Sequence, residues 1–191
     1  QIGAGFQVSY INKRLDVTKV VFADQLTPLG FTGVTSEVFE QQNLNVSYVD
    51  VNAGVLYNGT SNGYNSFYVG ASMYHINRPK ESFKGGDFIL NPRLTIQAGG
   101  KIPVGFNNAL HFSANHSRQA NATNTTLGGA YALNVNEDEA NPTNIYLGLW
   151  YRFKDAVIPY VGLEYGSFHI GYTYDVNTST LKPGTNMRGG N

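Results

Sequence analysis

An all-β fold, an antiparallel up-and-down barrel that crosses a membrane, is what the sequence predicts, and three observations predict it. The first is composition. Of 191 residues, 22 are glycine, 13 tyrosine and 11 phenylalanine, and only 14% are charged, where an ordinary soluble domain carries about 25%. The second is a period-two alternation of apolar and polar side chains along most of the chain, the signature of strands rather than helices. The third is what occupies the polar face. Gly, Ser, Thr, Asn and Gln dominate it, whereas a solvent-facing strand surface is rich in Lys, Glu and Arg. Small polar residues with sparse charge suit a crowded lumen, and the opposite face of Val, Ile, Leu and Ala suits lipid.

Ten strands follow in order, at 2–11, 13–22, 46–57, 66–76, 92–102, 109–119, 123–133, 143–153, 156–165 and 167–176. Each approaches the ~9–11 residues a tilted strand needs to cross a bilayer and exceeds the ~5–6 usual in soluble sheets. The last is the clearest: Phe168, Ile170, Tyr172, Tyr174 and Val176 alternate with Ser167, His169, Gly171, Thr173 and Asp175. In 144–153, Ile145, Leu147, Leu149, Tyr151 and Phe153 oppose Asn144, Tyr146, Gly148, Trp150 and Arg152. In 93–102, Leu94, Ile96, Ala98 and Ile102 oppose Arg93, Thr95, Gln97, Gly99 and Lys101. Aromatics near strand ends (Tyr10, Phe22, Tyr57, Phe67, Tyr151, Phe153, Tyr165) read as interfacial girdles.

Other classes are disfavoured. A formal net charge of zero argues against a nucleic-acid partner, which calls for a basic patch or stripe. With no cysteine, a disulfide scaffold, a thiolate zinc site and a cysteine nucleophile are all excluded. No apolar run nears the ~18 residues of a spanning helix, and mean hydropathy is −0.25. No basic stretch followed by an apolar one opens the chain, so any secretory leader is expected to have been removed or omitted.

The links give an orientation. Those centred on Asn12, Gly59–Gly63, Gly105–Asn108, Asn134–Pro142 and Gly166 fall on one side and are mostly short. On the other fall Ala23–Asn45 and Asn77–Asn91, with shorter links near Ala120 and Lys154. Barrels of outer membranes keep short turns in the periplasm and long loops outside, so the second side is expected to be extracellular. Ten strands would place both chain ends there. Complete bacterial barrels keep both termini in the periplasm and so hold an even number of strands. Either the orientation is reversed or, as the loop-like ending favours, the chain is part of a larger barrel with an odd number of strands missing at each end.

Three stretches carry a family resemblance: VGASMYHINRPKESF at 69–83, RFKDAVIPYVGLEY at 152–165 and YTYDVNTSTLKPGTNMRGG at 172–190. Weaker likeness runs through SYVDVNAGVLY (47–57) and LTIQAGGKIPVG (94–105). Together they resemble the PorP/SprF outer-membrane proteins of the type IX secretion and gliding machinery of Bacteroidetes; residues 23–45 depart most from that pattern. The resemblance implies further N-terminal strands and one strand after the Arg-Gly-Gly, for a barrel of about 14 strands. It also implies an outer-membrane lipid environment and help in secreting or surface-anchoring cargo such as adhesins. The implied partners are secretion components, peptidoglycan-linked periplasmic proteins and the C-terminal domains of secreted cargo. A cofactor is not implied.

Chemistry-bearing residues have two readings each. His111, Ser113 and Asn115 share the polar face of one strand, but alternate strand positions lie ~6.6 Å apart, too far for a nucleophile–base contact; they read as lumen filling, and the chain as non-enzymatic. His75, His111, His116 and His169 lack metal-ligand spacing. The run Glu137, Asp138, Glu139 lacks a calcium loop's pattern and reads as a solvated turn. Asp50, Arg93, Lys101, Arg152 and Glu164 on the polar face read as a lumen charge network, since unpaired charge at membrane depth is costly, or as the lining of a pore. Arg78, Pro79, Lys80, Glu81, Ser82 and Phe83, with Lys182 and Pro183, form a candidate extracellular rim that either orders itself or docks cargo. The alternative function on the same fold is a diffusion channel or small-solute transporter; a lipid-modifying enzyme and a soluble sandwich are the remaining readings.

Overall fold

The computed structural model describes residues 1–38, 43–83, 86–136 and 143–179. The strands are β1 (Ile2–Asp16), β2 (Leu26–Thr27), β3 (Gly30–Phe31), β4 (Asn43–Ser61), β5 (Asn65–Tyr74), β6 (Arg93–Val104), β7 (Asn108–Gln119), β8 (Ala122–Asn134), β9 (Thr143–Arg152), β10 (Ala156–Tyr165), β11 (Phe168–Thr173) and β12 (Val176–Asn177). The only helical turns among the described residues are 3₁₀ turns at Val17–Lys19 and Ala23–Gln25. Ten strands form one antiparallel sheet in the order β1-β4-β5-β6-β7-β8-β9-β10-β11, with β12 also on β10; β2 and β3 make a separate hairpin. Every step along the sheet is between successive long strands, so the topology is up-and-down. The path is open, with β1 and β11 at its two edges.

The expected division of the first strands is corrected. Asn12 is not a turn. Residues 2–16 run unbroken, paired one-to-one with β4 from Ile2↔Tyr57 to Asp16↔Asn43. The cause is the length of β4, whose 19 residues offer every residue of β1 a partner. Asn12 itself works as a cross-strand clamp, its Nδ2 donating to Asn45 Oδ1 at 2.9 Å and Ser47 Oγ at 2.7 Å. Beyond it the chain leaves the sheet in a 3₁₀ turn capped by Asp16, which accepts from the Thr18 amide. The sheet still has ten strands because β11 and β12 count separately. They share one register against β10 (Tyr160↔Thr173, Val157↔Val176), and the gap between them lies opposite Pro159. Pro159 accepts from the Tyr174 amide at 3.3 Å but has no N–H to return the second bond of that pair.

This changes the two rims. One rim carries the links 17–42 and 75–92 and the tight turns at 120–121 and 153–155; the other carries 62–64, 105–107, 135–142 and 166–167. β1 starts at the short-link rim and β12 ends at the long-link rim. The two ends of the sheet therefore lie at opposite rims rather than at the same one.

The core is inverted relative to a soluble protein. Among the described residues the buried apolar side chains are small, apart from Ile158: Ala109, Ala130, Ala132 and Ala156. The large apolar ones face outward, among them Phe6 at 73% exposed, Val161 at 50% and Leu147 at 58%. The other face is concave: the Trp150 Nε1 on β9 donates to the Ser113 Oγ on β7 at 2.8 Å, reaching across β8.

The outward apolar band is oblique to the hydrogen-bonded rows. The row through Ala4 passes Val55, Ala71 and Ile96 and arrives at His116 and Thr125. On β1 that row lies low in a band spanning Ile2 to Tyr10, and by β7 and β8 it has left the band at its long-rim edge. On β10 the band spans Val157 to Tyr165. The displacement is about eight residues over seven strand steps, and ~3.3 Å per residue against ~4.8 Å per strand gives a tilt of roughly 40°, within the range of closed barrels.

Candidate functional site

The long-link rim and the concave face beneath it hold the residues singled out from sequence. β5 ends at Tyr74 while β4 continues upward, so the chain after β5 must satisfy β4 in another way. It does so with side chains and a turn. Asn77 Oδ1 accepts from the Val51 amide at 3.1 Å and Nδ2 donates to the Val49 carbonyl at 2.6 Å, imitating one residue of a strand. The His75 amide donates to Asn52 Oδ1 at 3.0 Å, and its ring Nδ1 lies 2.8 Å from Asp50 Oδ1. Positive φ at His75 and Arg78 turns the chain back, with the Arg78 amide donating to the His75 carbonyl at 3.0 Å.

The predicted rim segment then folds over the mouth. The Leu90 amide donates to the Pro79 carbonyl at 2.9 Å, and the Glu81 amide to the Phe88 carbonyl at 2.8 Å, while Lys80 pairs with Asp87. Glu81 is the latch. Its carboxylate meets Lys13 Nζ and accepts from the Tyr48 hydroxyl at 2.8 Å, both on the concave face of β1 and β4. The Lys13 ammonium and the Tyr48 hydroxyl hold the Glu81 carboxyl below the usual carboxylate range. Arg78 and Lys80 stay exposed, Pro79 is buried, and Ser82 and Phe83 are half-buried. Lys182 and Pro183, like Glu137, Asp138 and Glu139, lie outside the described residues.

All five candidate lumen charges face the concave side, but they do not meet as one network. Asp50, only 6% exposed, pairs with His75. Arg93 lies over the Tyr74 ring, 4.3 Å from its centroid, and its Nε is buried without a hydrogen-bond partner among the described residues. Arg152 gathers two carboxylates, Asp155 at 2.9 Å and Asp175 at 3.0 Å. Near the other rim, Glu164 accepts from the Tyr146 hydroxyl and from Asn144 Nδ2 at 2.9 Å. Lys101 faces His111 in register and is exposed. Separation along the strands keeps the groups apart, three near one rim and two near the other.

Sequence reading missed an aromatic wall on β7 and β9–β11. The rings run His111–Tyr146 (centroids 5.7 Å apart), Tyr146–His169 (5.1 Å), and Trp150 edge-on to Tyr160 (5.8 Å). The Tyr160 hydroxyl and His169 Nε2, 2.9 Å apart, join the two groups. The rings lie down because glycines lie beneath them. A Cβ on Gly162 would meet the Tyr160 hydroxyl at 2.5 Å, one on Gly171 the same ring at 2.7 Å, and one on Gly148 the Trp150 ring at 2.6 Å. The signal was present as an aromatic–Gly alternation on the polar face: Tyr146, Gly148 and Trp150, then Tyr160 and Gly162. Ser113 serves Trp150, and His111 lies against Tyr146, so the two are not in contact as nucleophile and base. No group of three or more metal-ligating side chains occurs among the described residues. Beside the wall, β1–β7 curve around an open groove of about 540 Å³ whose lining includes Gln7, Asn52, Gly54, Ser72, Thr95 and Gln97.

A family model described as "Type IX secretion system membrane protein PorP/SprF" matches residues 1–188, so the chain belongs to that family. No match is found among curated proteins or among solved structures.

Proposed function

We propose that this family member lies in the outer membrane with its long-link rim outward and assists the secretion or surface attachment of cargo such as adhesins, without catalysing a reaction itself. The observation that carries the reading is the asymmetry of the rims. Long, internally ordered segments gather on one side, and most links on the other are turns of two or three residues, the arrangement of barrels whose outward loops meet partners. The exposed Arg78 and Lys80 on the latched segment give cargo a surface held in fixed register with the sheet. On the opposite rim, short turns would contact peptidoglycan-linked periplasmic parts of the secretion machine. The test is affinity purification of the full-length protein in mild detergent after cross-linking from position 78 or 80. Recovery of secreted cargo or secretion components supports the proposal; their absence from both positions counts against it.

A second reading, a diffusion channel, is favoured by the groove of small polar side chains beside the aromatic wall. Planar-bilayer recording separates the two, since steady open-channel currents from the wild-type protein would favour transport.

A further inference from the structure

The outward face departs from its apolar band at one corner near the long rim. In the two outward rows above Ala114 and Leu127, the positions become His116 and Arg118 on β7 and Thr125 and Thr123 on β8, paired across the strands. The β9–β10 turn closes the same corner: the Phe153 amide donates to the Thr125 carbonyl at 2.9 Å, and the next residue, Lys154, is exposed at φ 61°. By strand parity a histidine, a guanidinium and two hydroxyls thus face outward beside Leu94, Ile96 and Phe153, and the Lys154 ammonium stands exposed in the adjoining turn. Among the described residues neither Arg118 nor Lys154 has a carboxylate partner. The side-chain hydrogen bond of His116 among the described residues is to the Thr125 hydroxyl, at 2.8 Å, and that of Arg118 to the Ala120 carbonyl, at 3.5 Å. The two acids of this corner, Asp155 and Asp175, are drawn to the concave side by Arg152. The polar corner at the β1–β4 end differs, because there Asn12, Asn45 and Ser47 satisfy one another.

We infer that His116, Arg118, Thr123, Thr125 and Lys154 bind the phosphate of a membrane lipid headgroup. The site sits at the long-rim edge of the outward apolar band: Ile96 and Leu94 pair in register with His116 and Arg118, and Leu127, paired with Tyr151, lies one outward position below Thr125, all four of these apolar side chains being exposed. A lipid's acyl chains would lie along that band while its phosphate meets the cations. Charge complementarity and this continuity with the band select a lipid over a soluble anion, which would gain nothing from the apolar neighbours. The inference rests on the membrane-spanning reading.

The test uses the full-length protein in nanodiscs and in mild detergent, with native mass spectrometry and diphosphorylated lipid A as probe. The wild-type protein is expected to retain the lipid about tenfold better than the double variant Arg118→Ser with Lys154→Ser, while Arg118→Lys keeps most of the retention and dephosphorylated lipid A is not retained. Equal retention by a double variant that still inserts would overturn the inference, as would retention of the dephosphorylated lipid or displacement by millimolar inorganic phosphate. Failure of the wild-type protein to enter nanodiscs would instead sink the membrane reading, and the lipid site with it.

Discussion

The two ends of the concave face are built from opposite materials. Along β7 and β9–β11, rings lie on glycines and on one another, so each large side chain is fixed by the absence of a Cβ beneath it. Along β1–β6 the concave face carries small polar side chains such as Gln7, Asn52, Ser72 and Thr95, and its upper end is covered by a segment tied down through Asn77 and Glu81. The wall is held by shape and the cover by hydrogen bonds and charge. Crowding should therefore break the first, whereas pH and single polar deletions should loosen the second. An element whose restraints are few and polar is the one able to move during function.

Substitutions can break this contrast at either end. The largest effect is expected from Gly148→Val or Gly162→Val, which force Trp150 or Tyr160 off the sheet and cost about 1–3 kcal/mol of stability. The chain has a single tryptophan, so its fluorescence reports the wall, and a red shift with a lowered unfolding midpoint is the expected result. Next comes Asn77→Ala. It leaves the Val51 amide and the Val49 carbonyl of β4 without these partners beyond the end of β5, for about 1 kcal/mol. Hydrogen exchange is expected to rise across residues 75–90 while Trp150 emission stays put.

Glu81→Gln is milder, under about 1 kcal/mol, because the Lys13 pair is partly exposed. Its signature is pH dependence. The folded carboxyl titrates below its ordinary value of 4.5, so the latch's contribution is complete above that value and is lost as pH falls through the lower folded one. Limited proteolysis of the 75–90 segment is expected to accelerate on acidification below about pH 4.5 in the wild-type protein and to be pH-independent at this step in Glu81→Gln.

The contrast also separates what was legible in the sequence from what was not. Period-two patterning placed Leu147, Leu149 and Tyr151 outward, and it placed Asp50, Arg93, Lys101, Arg152 and Glu164 together on the other face, because strand faces follow from sequence parity alone. The family was legible in the 69–83, 152–165 and 172–190 stretches. What one strand does to another was not. Asn12 resembles a turn residue until the length of β4 gives it cross-strand partners. The pairing of Glu81 with Lys13 links residues far apart in the chain through a loop whose path no periodicity encodes. Nor was it legible which partner each of the five lumen charges takes, since sharing a face says nothing about distance along it.

The most direct test of the central claim, that the outward band faces lipid and the two rims lie on opposite sides of a membrane, uses the absence of native cysteine. In the full-length protein, Leu29→Cys on the long rim, Phe106→Cys on the short rim and Val161→Cys in the band would be exposed to a membrane-impermeant maleimide. In intact cells the account predicts labelling at position 29, labelling at 106 only after the membrane is permeabilised, and none at 161 until the protein is denatured in detergent. Equal labelling at 29 and 106 in intact cells, or ready labelling at 161, would contradict it.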